Sequence, residues 1–263
     1  MVKCQEDMKR HFQRITSCLR SDSNYPGLGL SHGNSMTVME FYKGTEHNID
    51  IILYDRKLVW AFVTDSGTVR QHCFVATAKR MPSYLPYDQK NRITDTAFRS
   101  CIAIGLTDGL FNVEFIWTSN GPKLLEINPR ISGYVLRDWL QKLYGIDIMV
   151  YSMMVACGIK PTIPELTTNK ILMGVMVMPS LHAKLLTEDH CKQKLFQMIE
   201  NDAVFFLQFR KLKETLSHYE VPFGNVAVTG TTSDEAKQKL LYVCRELGID
   251  QEDYRVEDFI QTF

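Results

Sequence analysis

Neither sign of charge is in excess in this chain: 30 Lys and Arg balance 30 Asp and Glu, and no basic block or Lys/Arg stripe occurs. That balance argues against nucleic acid or an anionic membrane as the main partner. No apolar run reaches membrane-spanning length, and the charged start MVKCQEDMKR lacks the hydrophobic stretch of a signal peptide. The expectation is a cytoplasmic protein. The 7 cysteines are odd in number, scattered, and never spaced as CxxC. They read as reduced thiols, with neither a zinc site nor a redox role. Internal repeats and low-complexity tracts are also missing. What remains is an ordinary globular composition over 263 residues, enough for one large domain or two small ones.

The stretch that states a chemistry is FNVEFIWTSNGPKLLEINPRISG, residues 111–133. Two apolar runs flank Ser119-Asn120-Gly121, which reads as the turn of a hairpin. With those three residues as the loop, Glu114 lies opposite Glu126, and period two places Glu114, Glu126 and Asn128 on one face. A two-residue Asn120-Gly121 turn would instead pair Glu114 with Ile127 and send the acids to opposite faces. Carboxylates set directly opposite each other repel unless a cation lies between them. Glu, Glu and Asn offer only oxygens, the donor set that suits Mg²⁺ shared with substrate phosphates. Arg130, two residues past Asn128, adds a fork of donors for an oxyanion. The alternative for these residues is a solvated sheet face with an exposed arginine.

An acid in N-V-E-F, a short hairpin and then E-I-N-P-R resembles the metal-binding core of the ATP-grasp enzymes. Those enzymes activate a carboxylate as an acylphosphate with ATP and pass it to an amine or another nucleophile. The resemblance implies Mg²⁺, or Mn²⁺, held on the ATP phosphates by Glu114, Glu126 and Asn128, with Arg130 stabilising the transferring group. Upstream, M-E-F-Y-x-G-x-E-H is similar to the hinge of that family. On this likeness, groups near Glu40 and Tyr42 bind adenine and Glu46 takes the ribose hydroxyls, lying across a cleft from the metal residues. His47 reads as a structural histidine.

The stretches EFYKGTEHNIDIIL, GLFNVEF, GPKLLEINPRISGYVLRDWLQKLYGID and MVACGIKP resemble the carnosine synthase family of ATP-grasp dipeptide ligases across most of the chain. That resemblance implies joining of β-alanine or γ-aminobutyrate to histidine with release of ADP, so the partners are small amino acids. It also implies that Gly133 sets a backbone N–H against the acylphosphate. The family's two phosphate-binding lysines and glycine-rich loop lie upstream of the hinge, so this chain resembles the C-terminal portion and is expected to be inactive alone. Its E-T-A-x-x-M-P-S reads Ala76-Thr77-Ala78-Lys79-Arg80-Met81-Pro82-Ser83, lacking the acid, and its R-M-G-G reads Arg130-Ile131-Ser132-Gly133. The other reading is a truncated or degenerate relative that binds nucleotide, or serves as an interaction module, without turnover.

The expected fold is α+β: the C-terminal lobe of an ATP-grasp fold, an antiparallel sheet with packed helices, plus a small C-terminal α+β subdomain. The divisions are residues 1–35 as a lid remnant, 36–160 as the lobe with the nucleotide and metal site, and 161–263 as the subdomain. Apolar spacing predicts helices over 3–20, 88–104, the YVLRDWLQKLYGID run, 147–157 and 190–199, and one after a Thr232-Ser233-Asp234-Glu235 capping box. Strands are predicted over 35–42, on both sides of Asp55-Arg56-Lys57, and over 171–178, 203–210 and 225–229. Residues 65–82 read as a loop over the site, and the Pro- and Thr-rich 160–169 as a linker.

Overall fold

A computed structural model describes residues 2–19, 38–69, 77–133, 135–165, 167–209 and 222–263, with side chains left out at 15–19. The chain divides into two compact units, Met1–Lys43 and Gly44–Phe263.

In the first unit, α1 (Gln5–Leu19) has acidic Glu6 and Asp7 in its first turn, where a carboxylate favours the helix dipole. The strand expected over 35–42 does not form where it is described: residues 38–43 have no regular structure, and residues 35–37 lie outside the described residues. Val38, Met39 and Phe41 have strand-like character but are exposed. Without a neighbouring ladder to satisfy its backbone, β propensity alone does not make a strand.

The second unit is built on one sheet in the order β5-β4-β1-β2-β3-β6-β8-β7, every pair antiparallel. The strands are β1 (Thr45–Tyr54), β2 (Lys57–Ser66), β3 (Ala78–Met81), β4 (Gly109–Thr118), β5 (Gly121–Asn128), β6 (Ile171–Val177), β7 (Phe205–Gln208) and β8 (Gly224–Gly230). The β1–β2 turn is only Asp55 and Arg56, at φ 50° and 58°. Both sit in the left-handed region that a tight hairpin of this hand requires. Asp108 and the Thr107 carbonyl accept the two turn amides.

Residues 65–82 depart from the predicted loop. β2 runs to Ser66, and Ala78–Met81 forms β3, joining β2 to β6. A four-residue strand buried between two others carries too short a pattern to read from sequence. Residues 70–76, and with them Ala76, lie outside the described residues. The strands of residues 161–263 are thus continuous with those of 44–128 in one sheet.

Helix α2 (Tyr87–Ala103) covers one face through Ile93, Ala97 and Cys101, which pack on Ile49, Ile51, Val113 and Phe115. The opposite face is covered by α3 (Leu136–Tyr144) and α4 (Ile148–Ala156), whose Trp139, Leu140 and Ile148 join Ile52, Phe62 and Leu110 in a second core. Gly145 closes α3 at φ 71°, the left-handed stop expected of it. Asp147 caps α4 by accepting from Met149 N. Farther along, α5 (Ala183–Thr187) and α6 (Asp189–Glu200) precede β7. Helix α7 (Ser233–Glu246) follows β8, and α8 (Val256–Ile260) ends the series. Neither five-residue helix, α5 or α8, is legible as a period in the sequence. The capping box forms in part: Thr232 Oγ1 accepts from Glu235 N, while the Glu235 carboxylate bonds Thr231 instead of the cap amide.

Candidate functional site

Glu114 and Glu126 are direct partners across β4 and β5, and Asn112 pairs with Asn128. The route to that register differs from the expected three-residue loop. Thr118 pairs with Gly121, so the turn is only Ser119-Asn120, with Gly121 at φ 98° opening β5. Continued straight, that turn would set Leu125 opposite Glu114. A bulge intervenes: Phe115 pairs with Leu124, Glu114 with Glu126, and the extra residue Leu125 shifts the register by one. A tight turn plus a bulge thus reaches the same pairing as a longer loop, with both acids on one face.

The face extends across β1 and β2. Asn48 lies opposite Glu114 and Asp50 opposite Asn112; Glu46 pairs with Ser66, and Asn48 with Thr64. Ser66 in turn pairs with Lys79 of β3. Glu46, Asn48, Asp50, Asn112, Glu114, Glu126, Asn128 and Lys79 therefore share one polar surface. Glu46 stands on the same sheet face as the acid pair, one strand away and not across a cleft, because β1 and β4 are hydrogen-bonded neighbours.

Hydrogen bonds stitch this surface only partly. Asn128 Nδ2 donates to Glu126 Oε1 at 2.8 Å and lies 3.4 Å from Asn112 Oδ1. Asn112 Nδ2 donates to Ser132 Oγ at 2.7 Å, and Ser132 N to Asp50 Oδ1 at 2.8 Å. Asn48 Nδ2 and Lys79 Nζ both reach Ser66 Oγ, at 2.9 and 3.2 Å. The other oxygen of fully buried Asp50 has no hydrogen-bond partner. Burial pushes Asp50 up to about 7, against the opposing pull of the Ser132 amide and of Lys79 and Arg130. Glu114 is raised as well, first by burial and then by the facing charges of Glu46 and Glu126. These acids crowd one another with too little positive charge between them. Their oxygen donors fit a hard divalent cation of the Mg²⁺ type.

Arg130 is exposed, its guanidinium donating to the Ile131 carbonyl at 3.0 Å, and its charge acts on Asp50 and Glu114. The segment after it folds back over the sheet, so that Ser132 and Gly133 share a small cavity of about 10 Å³ with Thr64 and Lys79. That is room for roughly one water. Glu40 and Tyr42 belong to the first unit, where a hydrogen bond to Glu40 holds the Tyr42 phenol above its ordinary value.

Sequence reading named the acid pair, Asn128, Arg130 and Glu46, but gave no role to Asn48, Asp50 or Lys79. The signal was there for β1: Glu46, Asn48 and Asp50 recur at period two. Lys79 has no such signal, because only the pairing of β3 with β2 brings it to this face.

The reverse face carries a separate polar cluster. His47, fully buried, bonds Asp65 Oδ1 through Nδ1 at 2.7 Å and Thr45 Oγ1 through Nε2 at 2.7 Å. Asp65 also accepts from Ser83 Oγ at 2.5 Å and Tyr84 N at 2.7 Å. Every ring nitrogen and carboxylate oxygen in this pair is satisfied, which is the pattern of a structural network.

Residues 32–153 match a family described as ATP-grasp in the biosynthetic pathway with Ter operon. Carnosine synthase 1 of human is 41% identical over 100% of this chain, which spans 32% of that protein's length. The mouse protein of the same name is 40% identical, again over 100% of the chain and 32% of its own length. The chain thus covers about a third of the curated relatives it matches. Among solved structures, the L-amino acid ligase from Bacillus licheniformis superposes with a TM-score of 0.67 at 14% identity, over 94% of this chain and 60% of that one. A carboxyaminoimidazole ribonucleotide synthase from Aspergillus clavatus, complexed with ATP, gives 0.61 at 12% identity, over 80% and 52%. At such identities these structures show the fold alone.

Proposed function

Because this chain carries the ATP-grasp fold and is homologous to carnosine synthase 1 over its whole length, we propose that it holds the metal and nucleotide half of an ATP-dependent carboxylate–amine ligase. The reaction is the joining of β-alanine or γ-aminobutyrate to histidine through an acylphosphate, with release of ADP. The observation that carries this reading is the Glu114–Glu126 pair, set face to face with Glu114 half-buried and Glu126 exposed, and left without enough positive charge. In this reading Glu114, Glu126 and Asn128 hold Mg²⁺, which would neutralise the phosphate charge as it develops. Glu46 binds the ribose hydroxyls, and Glu40 and Tyr42 flank the adenine. Arg130 and Lys79 are the cations available to the transferring group, and Gly133 borders the cavity that Lys79 lines.

One observation favours the alternative of a relative without turnover. The Ser132 amide, next to Gly133, is already bonded to Asp50, so it cannot add a second N–H to the Gly133 donor that the resemblance implies. Losing a single such donor costs on the order of a hundredfold in rate. On either reading the chain alone gives no dipeptide-dependent ADP release; on the ligase reading the activity needs parts of the relatives that lie beyond the matched third.

Calorimetry with ATP, with and without Mg²⁺, tests the metal reading. Mg²⁺-dependent binding is expected, and Glu126→Gln should weaken it by roughly tenfold or more, the scale of losing an oriented group around a metal. The variant relieves repulsion, so melting should be unchanged or slightly raised. Equal affinity for wild type and variant, with or without Mg²⁺, would remove the proposal. Robust ADP release by residues 1–263 with β-alanine, histidine and Mg²⁺–ATP would refute the inactivity alone.

A further inference from the structure

Away from the acid-rich face, another set of metal-competent donors stands among the described residues: Glu188, His190 and Cys191, where α6 begins. His190 Nε2 lies 3.2 Å from Cys191 Sγ and 3.6 Å from Glu188 Oε2, and Cys191 Sγ is 3.9 Å from that same oxygen. A tetrahedral zinc ion at its usual bond lengths sets a thiolate, an imidazole and a carboxylate oxygen about 3.4–3.6 Å apart. The three edges here fall within about 0.4 Å of that triangle.

A hydrogen-bonded surface cluster accounts for the shortest edge but not for the convergence of all three groups. No Lys or Arg among the described residues pairs with Glu188. Lys192, four residues from Glu188, turns to the Thr187 carbonyl and the Asp189 carboxylate, each at 3.1 Å. Cys191 is half-buried against the core, which fixes one donor, whereas His190 is exposed and leaves the outer side open.

We propose that Glu188, His190 and Cys191 form a three-ligand site for a borderline divalent transition metal, zinc foremost, with the fourth position open to water. Sulfur and imidazole donors select such an ion, where the oxygen set around Glu114 suits Mg²⁺, so the two sites discriminate by chemistry. Binding displaces the Cys191 thiol proton, since the thiolate is the ligand.

Co²⁺ is the probe, because a thiolate bound to it gives a near-ultraviolet charge-transfer band that oxygen-only sites do not. Residues 1–263 titrated with Co²⁺ should develop that band to one equivalent, and Zn²⁺ should bleach it while excess Mg²⁺ should not. Cys191→Ser should abolish the band, and His190→Gln, an exposed change that leaves the fold intact, should weaken Co²⁺ binding tenfold or more. Cys157→Ser, at another exposed thiol, should leave the spectrum as it is. No charge-transfer band in wild type, or a band that survives Cys191→Ser, would overturn the site.

Discussion

Strand β1 presents two polar faces that differ in kind. On one, His47 sits between Thr45 and Asp65 with every nitrogen bonded, and Asp65 gathers three donors. On the other, Asp50 keeps an oxygen with no partner, and Glu114 is held above its ordinary range by burial and by facing acids. Evolution of a fold tolerates buried polar groups readily when they satisfy one another, and unsatisfied ones chiefly where a ligand completes them. We read the His47 side as architecture and the Glu114 side as the proposed site, although Arg80, paired with Asp65 on the His47 side, also leaves Nε and Nη1 without partners. Burial alone does not separate the two, since Asp50 and Asp65 are both fully buried.

The largest test of that contrast is Asp65→Ala. It leaves His47, Ser83 and the Tyr84 amide without their acceptor, and breaking such a buried pair costs about 3–5 kcal/mol. Urea unfolding should show a loss of that order, whereas Glu126→Gln on the opposite face should cost nothing. Equal stability of the two variants would end the distinction.

A smaller effect follows from Asp50. Its folded value is raised from 3.8 to about 7, so between those limits the folded state keeps a proton that the unfolded state has lost. Stability is then full below the unfolded value and declines as pH rises towards the folded one, by at most about 1.4 kcal/mol per pH unit. Glu114, also raised, adds to the decline with the same sign. Asp50→Asn keeps an oxygen for Ser132 N and removes the ionisation. Its stability profile from pH 4 to 8 should be flatter, and it should exceed wild type at the upper end. A flat wild-type profile would show that Asp50 is better compensated than its surroundings indicate.

The smallest change is Ser132→Gly. It takes away the hydroxyl that Asn112 Nδ2 donates to and leaves a buried amide donor unmet, a loss of about 1 kcal/mol. A variant as stable as wild type in urea would mean that Asn112 finds another acceptor.

Much of the site was legible because its residues repeat at the period of a strand. Glu114, Glu126 and Asn128 could be assigned to one face only with the three-residue loop, since a two-residue Asn120-Gly121 turn separates the acids, and the ATP-grasp likeness then implied what the face is for. The turn itself was misread by one residue, and the bulge at Leu125 restored the register. A bulge carries no composition mark here, so the hydrophobic pattern could not locate it. The strand expected over 35–42 shows the converse, in that a favourable pattern at residues 38–42 yields no strand where no ladder receives it.

The amino-acid order by itself determined the β1–β2 and β4–β5 hairpins, the helices with clear stops at Gly145 and Gly158, and the oxygen-only character of the acid pair. These depend on contacts between residues close in sequence, where turn chemistry and period suffice. Tertiary structure alone decided that β3 bridges β2 and β6, that Lys79 thereby joins the acidic face, and that Asp50 lies buried beneath Ser132, a residue 82 positions away. Such pairings rest on which distant backbone edges and side chains meet. A local pattern of hydrophobic and polar residues is compatible with many partners, and only the packed chain selects one.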